Sequence, residues 1–469
     1  MNLTILGGGS AGWLTALYIK QLFKNSNVTL IESKNIPIIG VGEATTPHIV
    51  SFLSSLNIDY KEVIKKTDGT LKNGISFENW NGDNKKYLHG FSLNGHLSMF
   101  DNLDYLKQLI NNKLPFVDYT YQSQLTYQNK INLENQSFAL HFDASKFTTY
   151  LCEVGKQRNI NHIVDDYKTC VRNDLGFIKE LKTTNHNIKT DFVFDCSGFQ
   201  KLIIGNLYQD TWIDYQKHLP MKKAMLFPTQ QTNDKPYTTA RALKYGWVFE
   251  IPLQNRLGRG YIFDSDYINE DQAVKELEEN YSDVNPIRTI EFKPGRFQNA
   301  WIKNCIGIGL STNFIEPLES TSIYMTIAQL ELLKDFKDYI EKYNPNKTKI
   351  YNEIIANNND AVLNFIYLHY VTKRKDSKFW KDFRKKNIMP NGMDKILEDI
   401  NSNSLDNYSL PRFTSASFCM QSYLKICEGL GMFYKCNKTN NINLRVYDNV
   451  KKIAYLHEQN HIDFINHNL

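Results

Sequence analysis

The most constraining feature of this sequence is a glycine-rich turn close to its start. Residues 7–13 read GGGSAGW, with an apolar strand before them and a helical pattern after them. A second apolar strand ends on Glu32, 20 residues beyond Gly12. In a β-α-β unit such a turn lets backbone amides at the helix N-terminus approach a pyrophosphate, and the acid holds ribose hydroxyls. The start of the chain therefore predicts a dinucleotide-binding α/β domain.

Composition bounds the class of protein. At 469 residues the chain is too long for one simple core, which predicts two closely joined domains. The net charge is only +5 and no basic stripe is present, so nucleic-acid binding is not expected. Seven dispersed cysteines without metal-ligand spacing favour a reducing compartment and no metal site. No apolar run reaches about 18 residues, and the chain begins directly in a strand, so we expect a cytoplasmic protein without membrane span or signal peptide.

Further turns extend the pattern. Residues 40–45 read GVGEAT, which suits either a backbone passing close to a ligand or an ordinary flexible turn. Later apolar strands end near Asp195 and Gly309, which predicts a parallel sheet with a ligand across its carboxyl ends. Alternation over 70–80 predicts one strand. The remainder from 321 onward reads as mainly helical, with candidate helices at 324–337, 346–372 and 412–430.

Four segments together resemble the flavin-dependent halogenases, specifically the tryptophan-halogenase branch. They are 7–13 (GGGSAGW), 40–47 (GVGEATTP), 72–80 (KNGISFENW) and 314–321 (FIEPLEST). Segments 141–144 and 195–199 also match, and order and spacing agree to about residue 330. The resemblance implies an α/β fold in which a three-layer FAD-binding domain of the aromatic-hydroxylase type carries a mainly helical second domain.

The domain division expected on this basis is an interrupted one. Residues 1–80, 140–205 and 245–335 are predicted to form the FAD-binding domain. Residues 81–139, 206–244 and 336–469 are predicted to form the mainly helical, substrate-binding domain.

The resemblance implies halogenation of an aromatic substrate. Reduced FAD, oxygen and a halide ion (chloride or bromide) yield hypohalous acid, which must reach a separate pocket while shielded from water. A separate flavin reductase is expected to supply reduced FAD, because no second nucleotide motif for NADH is present. The cofactor-binding residues predicted in this way are Gly7, Gly9, Ser10, Ala11, Gly12, Glu32, Gly42, Glu43, Ala44 and Gly309.

Two residues match the family's catalytic positions. Lys72 matches the essential lysine, which can hydrogen-bond hypohalous acid or form a haloamine, and desolvation would make its amine available. Glu319 matches a glutamate that can polarise the electrophile or remove the ring proton. Outside their matched segments, a strand lysine and an acid at a helix start would be unremarkable. The matched segment reverses that interpretation for Lys72, whereas for Glu319 both interpretations can hold at once.

The same helix start is the predicted halide site, at the backbone amides of Thr321 and Ser322. The family usually has glycine at the second of these positions. Residues 247–252 (WVFEIP) correspond to the family's W-x-W-x-I-P signature with Phe249 in place of the second tryptophan. We expect Phe249 to keep the substrate away from the flavin, although a plain buried strand is also a reasonable interpretation.

The arene wall is predicted from the resemblance alone. His89 and Phe91 match a His-x-Phe pair that sandwiches indole in relatives, Phe418 falls near a stacking tryptophan, and Ser320 adjoins the catalytic glutamate. No carboxylate for the amino group of free tryptophan can be placed. The sequence therefore favours an indole, a phenol or a similar electron-rich arene over free tryptophan, and it fixes neither regiochemistry nor halide preference.

Two alternatives stay open at this point. One is a flavin monooxygenase or oxidase of the same fold, and the other is a non-catalytic flavoprotein that senses redox state or binds a partner. The pairing of Lys72 with Glu319 argues against both. A homo-oligomer is compatible with the sequence, which carries no motif that sets the oligomeric state.

Overall fold

The computed structural model describes residues 1–36, 41–386, 388–402, 418–433, 449–456 and 459–468. The helices within these residues are Ser10–Leu22, His48–Ser55, Tyr60–Lys66, Leu103–Asn111, Phe116–Tyr119, Tyr121–Tyr127, Ala144–Gln157, Glu270–Asn280, Thr321–Glu341, Pro345–His369, Lys378–Lys386, Met393–Ser402, Met420–Gly429, Val450–Leu456 and His461–Asn468. In the described part of the chain, no helix is both long enough and apolar enough to cross a membrane.

A six-stranded sheet forms the centre of the dinucleotide-binding part. Its strands lie in the order Trp301–Ile302, Cys305–Gly307, Phe192–Asp195, Asn2–Leu6, Asn27–Glu32 and Asn161–Val164. The pairs are parallel except the first, which is a hairpin. The carboxyl ends of the parallel strands therefore share one edge, as the sequence predicted.

Two different layers cover this sheet. On one face, Leu3 and Ile5 pack with Trp13, Phe147 and Ile327 from three helices. On the other face, Leu6, Ile31 and Val193 pack with Ile178 and Leu181. The last two belong to a three-stranded sheet of Tyr167–Arg172, Ile178–Thr183 and Asn187–Lys189. Helices, parallel sheet and antiparallel sheet thus confirm the predicted three-layer α/β fold class.

A seven-stranded sheet packs against helices to form a second apolar core. Its strands run in the order Arg288–Glu291, Lys223–Leu226, Leu257–Phe263, Gly246–Pro252, Thr238–Ala242, Gly74–Glu78 and Lys86–Gly90. Side chains from Leu103–Asn111, Pro345–His369, Lys378–Lys386 and Met420–Gly429 share one apolar core with it. The sheet takes strands from both predicted sequence units, and the domain division stays a prediction.

The single strand predicted over 70–80 is wrong, because the chain changes sheets at Asn73. Thr70–Lys72 pairs with Ala139–Phe142, which also pairs with Glu43–Ala44. The Asn73 amide donates to Pro236 O, and its carbonyl accepts from Phe91 N. Both bonds divert the backbone, so that Gly74–Glu78 begins a strand of the larger sheet.

The remaining strands are short. They are Lys130–Ile131 with Gln459–Asn460, and Trp212–Asp214 with Gly295–Phe297 and Asn313–Phe314. Among the predicted helices, 324–337 lies inside Thr321–Glu341 and 346–372 overlaps Pro345–His369. For the predicted helix 412–430, residues 412–417 lie outside the described residues, and the described remainder contains the helix Met420–Gly429.

Candidate active site

Lys72 lies at the meeting point of three matched segments. It ends the strand Thr70–Lys72 and is 0% exposed. Its Nζ donates to Thr45 O and to Ser320 Oγ, both at 2.8 Å. Its Nζ also lies 5.6 Å from the ring centroid of Phe91. The lysine therefore joins the loop after the second strand to the start of helix Thr321–Glu341 beside an aromatic ring.

Burial governs the protonation of this lysine. Desolvation lowers the pKa of Lys72 to about 7, although the negative charges of Glu319 and Glu43 oppose that shift. Desolvation likewise raises the pKa of Glu43 to about 7, against the opposing charge of Lys72. Near neutral pH a substantial fraction of Lys72 is therefore a free amine, which can act as a nucleophile.

Glu319 is held by two histidines beside the same helix start. The turn Pro317–Glu319 ends on Ser320, whose φ of 57° redirects the chain into helix Thr321–Glu341. His89 Nδ1 and His369 Nε2 each lie 2.8 Å from a Glu319 oxygen. Burial would raise the pKa of Glu319, but the charge of His89 and the hydrogen bonds from His369 and His89 outweigh it and lower the pKa to about 2. The buried carboxyl is thus an anion.

An aromatic wall adjoins this carboxylate. The ring centroids of Phe418 and Phe365 lie 3.8 Å apart in a stacked pair, and His89 lies 6.3 Å and 5.5 Å from them. Phe91 is the residue immediately after the strand Lys86–Gly90, which carries His89. The predicted arene residues His89, Phe91 and Phe418 are therefore brought to one region with Ser320 and Lys72. Their roles stay predictions.

The predicted halide residues stand at a helix N-terminus. Helix Thr321–Glu341 is 21 residues long and begins at Thr321. Because the first amides of a helix have no acceptor within it, those of Thr321 and Ser322 are free to bind an anion. The geometry is compatible with the predicted halide site, which remains a prediction.

The fingerprint turn fits FAD. Gly7 has a φ of 121°, and a Cβ on Gly12 would lie 1.9 Å from Gly7 O, so only glycines permit this close turn. A Cβ on Gly9, by contrast, would meet nothing within 4 Å. Open space therefore lies before helix Ser10–Leu22, where a pyrophosphate would bind the amides of the helix N-terminus.

Two further predicted cofactor residues flank that turn. Glu32 ends its strand and accepts a hydrogen bond from His162 Nε2 at 2.9 Å. A Cβ on Gly309 would lie 3.2 Å from Ala11 Cβ, so the end of a distant strand touches the fingerprint. Acid, helix start and second glycine turn thus occupy one edge of the parallel sheet, where they would hold the ribose and the pyrophosphate of FAD.

The loop that contains Gly42, Glu43 and Ala44 packs against the strand of the tryptophan-rich signature. Ala44 forms a small apolar cluster with Ile251 and Leu253, and Phe249 packs against it. A Cβ on Gly260 would lie 2.4 Å from the Phe249 ring, so that glycine makes room for the ring. Phe249 therefore lies beside the loop whose Thr45 binds Lys72.

Sequence reasoning missed three residues of the site: His369, Phe365 and Ser422. Ser422 Oγ lies 2.9 Å from His89 Nε2, and His369 contacts Glu319 directly. Phe365 and His369 share one face of helix Pro345–His369, four residues apart. The only signal in the sequence was a histidine within an apolar run, which more often marks a satisfied core histidine.

Comparison with known proteins places these features in a family. The family model described as tryptophan halogenase matches residues 2–440. The tryptophan 7-halogenase RebH of Lentzea aerocolonigenes is 32% identical over 416 residues, which cover 81% of this chain and 78% of the relative. The tryptophan 7-halogenase KtzQ of a Kutzneria species is 31% identical, with the same two coverages.

A solved structure agrees over almost the full length. BrvH, a flavin-dependent halogenase from a Brevundimonas species, superposes with a TM-score of 0.88 at 28% identity. The match covers 99% of this chain and 98% of that one. Sequence and fold therefore point to the same family.

Proposed function

The chain belongs to the tryptophan halogenase family, and from that premise we propose that Lys72 guides hypohalous acid to an electron-rich arene held beside Glu319. The protein is a flavin-dependent halogenase that uses FAD, reduced by a separate reductase, together with a halide ion. When bound, reduced FAD would react with oxygen and halide to supply hypohalous acid. The residues that would hold FAD are those of the fingerprint turn, Glu32 and Gly309.

The observation that carries the proposal is the placement of the Lys72 amine. Its two hydrogen bonds, to Thr45 O and Ser320 Oγ, occupy both N–H groups of a neutral amine. The lone pair is then left to accept a hydrogen bond from hypohalous acid, whose halogen–oxygen bond stays intact until the arene attacks. Because the side chain is wholly buried, water competes poorly for the captured electrophile.

Glu319 supports the second half of the reaction. Attack of the arene on the halogen leaves positive charge on the ring, and an anion in a low-dielectric site stabilises that charge. The same carboxylate can then take up the ring proton. Its two histidine partners hold the carboxylate in place for both tasks.

Phe249 lies between the flavin site and the arene site, along the route that hypohalous acid would take. Trp247, Phe249 and Ile251 alternate along Gly246–Pro252 and so face the same side of the sheet. Trp247 belongs to the core of the arene side, whereas Ile251 contacts the loop of Ala44. The Phe249 ring between them bars an arene from reaching the flavin and so favours halogenation over oxygenation.

The substrate class we favour is an indole, a phenol or a similar electron-rich arene. The aromatic wall of His89, Phe91 and Phe418 supports stacking of a flat ring. Similarity does not assign a ring position, because the relatives at 31% identity include a tryptophan 7-halogenase and a tryptophan 6-halogenase. The six free thiols of the described residues support operation in a reducing cytoplasm.

A product assay tests this function directly. Purified protein, FAD, an NADH-driven flavin reductase, bromide and a panel of indoles and phenols are expected to give monobrominated arene detectable by mass spectrometry. Omitting the reductase or bromide should abolish the product. Hydroxylated arene in place of brominated arene would instead support a flavin monooxygenase.

A further inference from the structure

His369 has both ring nitrogens committed within the protein. Its Nδ1 lies 2.9 Å from Phe365 O, and its Nε2 lies 2.8 Å from Glu319 Oε1. The residue is 0% exposed. A carbonyl oxygen can only accept a hydrogen bond, so Nδ1 must carry a hydrogen.

The contact between His369 Nε2 and Glu319 then requires one shared proton. With Nδ1–H fixed, an unprotonated Nε2 would place its lone pair against a carboxylate oxygen at 2.8 Å. The pair is therefore either an imidazolium beside a carboxylate or an imidazole beside a carboxylic acid. The hydrogen bond from His369 is one of the causes that lower the pKa of Glu319, which favours the first form.

His89 is not under the same constraint. Its Nδ1 donates to Glu319, while its Nε2 lies 2.9 Å from Ser422 Oγ. A serine hydroxyl can donate as well as accept, so a neutral His89 satisfies both contacts. The obligatory extra proton thus belongs to His369 and Glu319 alone.

We propose that His369 is a positioning residue whose proton, shared with Glu319, is lent to the departing hydroxide during halogen transfer and recovered from the arene. This step rests on the proposed function. The arene carbon forms its bond to the halogen as the halogen–oxygen bond breaks, and the oxygen leaves with the electron pair. A proton from the pair turns that hydroxide into water. The ring then releases its proton to Glu319, which restores the pair and yields halogenated arene.

The charge changes favour this sequence of events. Before the reaction, His369 and Glu319 with their shared proton carry no net charge. After the proton leaves, a single negative charge remains on the pair while the ring is positive. Opposite charges at close range in a buried site attract strongly, so the proton loan is coupled to stabilisation of the arene cation.

Other titratable groups face the same carboxylate and contribute to its pH dependence. Lys72 acts on it from the strand Thr70–Lys72, and Tyr87 and His89 act from Lys86–Gly90. Burial raises the pKa of Tyr87 well above its usual value, so it stays neutral. The rings that contact the imidazole of His369 itself, Phe77, Trp80 and Phe365, do not titrate.

The test uses His369→Gln in the full-length enzyme. Its side-chain amide can still donate to Glu319 but has no proton to lend. We expect single-turnover bromination of an indole to slow by about a hundredfold, the lower end of the range for general acid–base catalysis, with the affinity for indole little changed. We expect the wild-type rate to fall at high pH as the shared proton is lost and to show a solvent deuterium isotope effect, and both features should disappear in the variant. FAD affinity should remain as in wild type, whereas Tm should fall because the bond to Phe365 O is lost.

Nitrogen-15 histidine spectra give a second readout that needs no turnover. The resonances lost in His369→Gln identify His369, and both of its nitrogens should be protonated near neutral pH. A neutral His369 beside an ionised Glu319, or a variant with the wild-type rate, pH profile and isotope effect, would overturn the inference. Wild-type enzyme that brominates no arene would instead defeat the proposed function.

Discussion

The protonation state of Lys72 decides how it handles the halogen. Burial lowers its pKa to about 7, so the amine form, which alone has a lone pair, increases as pH rises through that value. We expect the rate of arene halogenation to rise between about pH 6 and pH 8 and then to level off until other groups titrate. Single-turnover rates of arene bromination, measured with added hypobromous acid across this pH interval, test the expected rise. A rate that falls over the same interval would show that the ammonium, acting as a hydrogen-bond donor, is the active form.

Glu319 and Glu316 form a matched pair of buried acids on one short turn. Glu319→Gln removes an anion and is expected to slow halogenation by about two orders of magnitude. Burial, opposed by the Tyr370 hydroxyl bond, raises the pKa of Glu316 to about 8, so that acid is already neutral and Glu316→Gln changes no charge at pH 7. Steady-state bromination of both variants is the measurement. Equal losses would assign the effect to packing of the turn rather than to the Glu319 charge.

At the scale of elements, the fingerprint turn offers a clean test of cofactor binding. A Cβ at Gly9 meets no atom within 4 Å, so Gly9→Asp should fold normally while placing a carboxylate in the expected pyrophosphate space. Two like charges about 4 Å apart repel by about 1 kcal/mol even in water, which predicts FAD binding weaker by about fivefold or more. Gly9→Asn supplies a neutral control of the same size. Titration of FAD by fluorescence gives both affinities. Unchanged binding by Gly9→Asp would show that the pyrophosphate of FAD does not bind at this turn.

The strand Gly246–Pro252 carries the expected barrier between flavin and arene. The Phe249 ring packs directly on Gly260, so Phe249→Ala opens space above that glycine. We expect more hydrogen peroxide release per NADH consumed, or hydroxylated arene, with FAD affinity unchanged. Peroxide assay and mass spectrometry of the products detect either outcome. A variant with wild-type coupling and products would reduce Phe249 to a packing residue.

The elements that sequence could predict are those with local causes. The turn at Gly7–Gly12 is set by its own glycines, and the strand, helix and acid around it follow within about 30 residues. The break at Asn73 could not be read, because its hydrogen-bond partners Pro236 and Phe91 are fixed only by the tertiary fold. His369 was missed for the same reason, since its partner Glu319 is 50 residues away in the chain.

At the scale of the whole molecule, the two cores meet along one helix. Tyr351 and Ile355 of Pro345–His369 pack in the core of the dinucleotide-binding part, whereas Val362 and Phe365 pack in the core of the second part. His369 ends that helix against Glu319. The helix that joins the cores thus also positions Glu319, which ties the predicted arene site to the frame that would hold FAD.

Lys72 occupies the corresponding place between the two sites. It connects Thr45, in the loop after the first β-α-β unit, with Ser320, next to Glu319. The resemblance in the sequence predicted that these segments cooperate, and the structure shows them in direct contact. The function of that contact is the central claim of the proposal.

The most direct test measures where hypobromous acid goes when Lys72 is replaced by Met. In Lys72→Met, brominated arene should be lost while a small-molecule trap added to the solution captures the hypobromous acid that escapes. FAD affinity should be retained. Lys66→Met, at an exposed lysine of the preceding helix, should behave as wild type. Brominated arene formed by Lys72→Met at the wild-type rate, with no increase in trapped acid, would contradict the account.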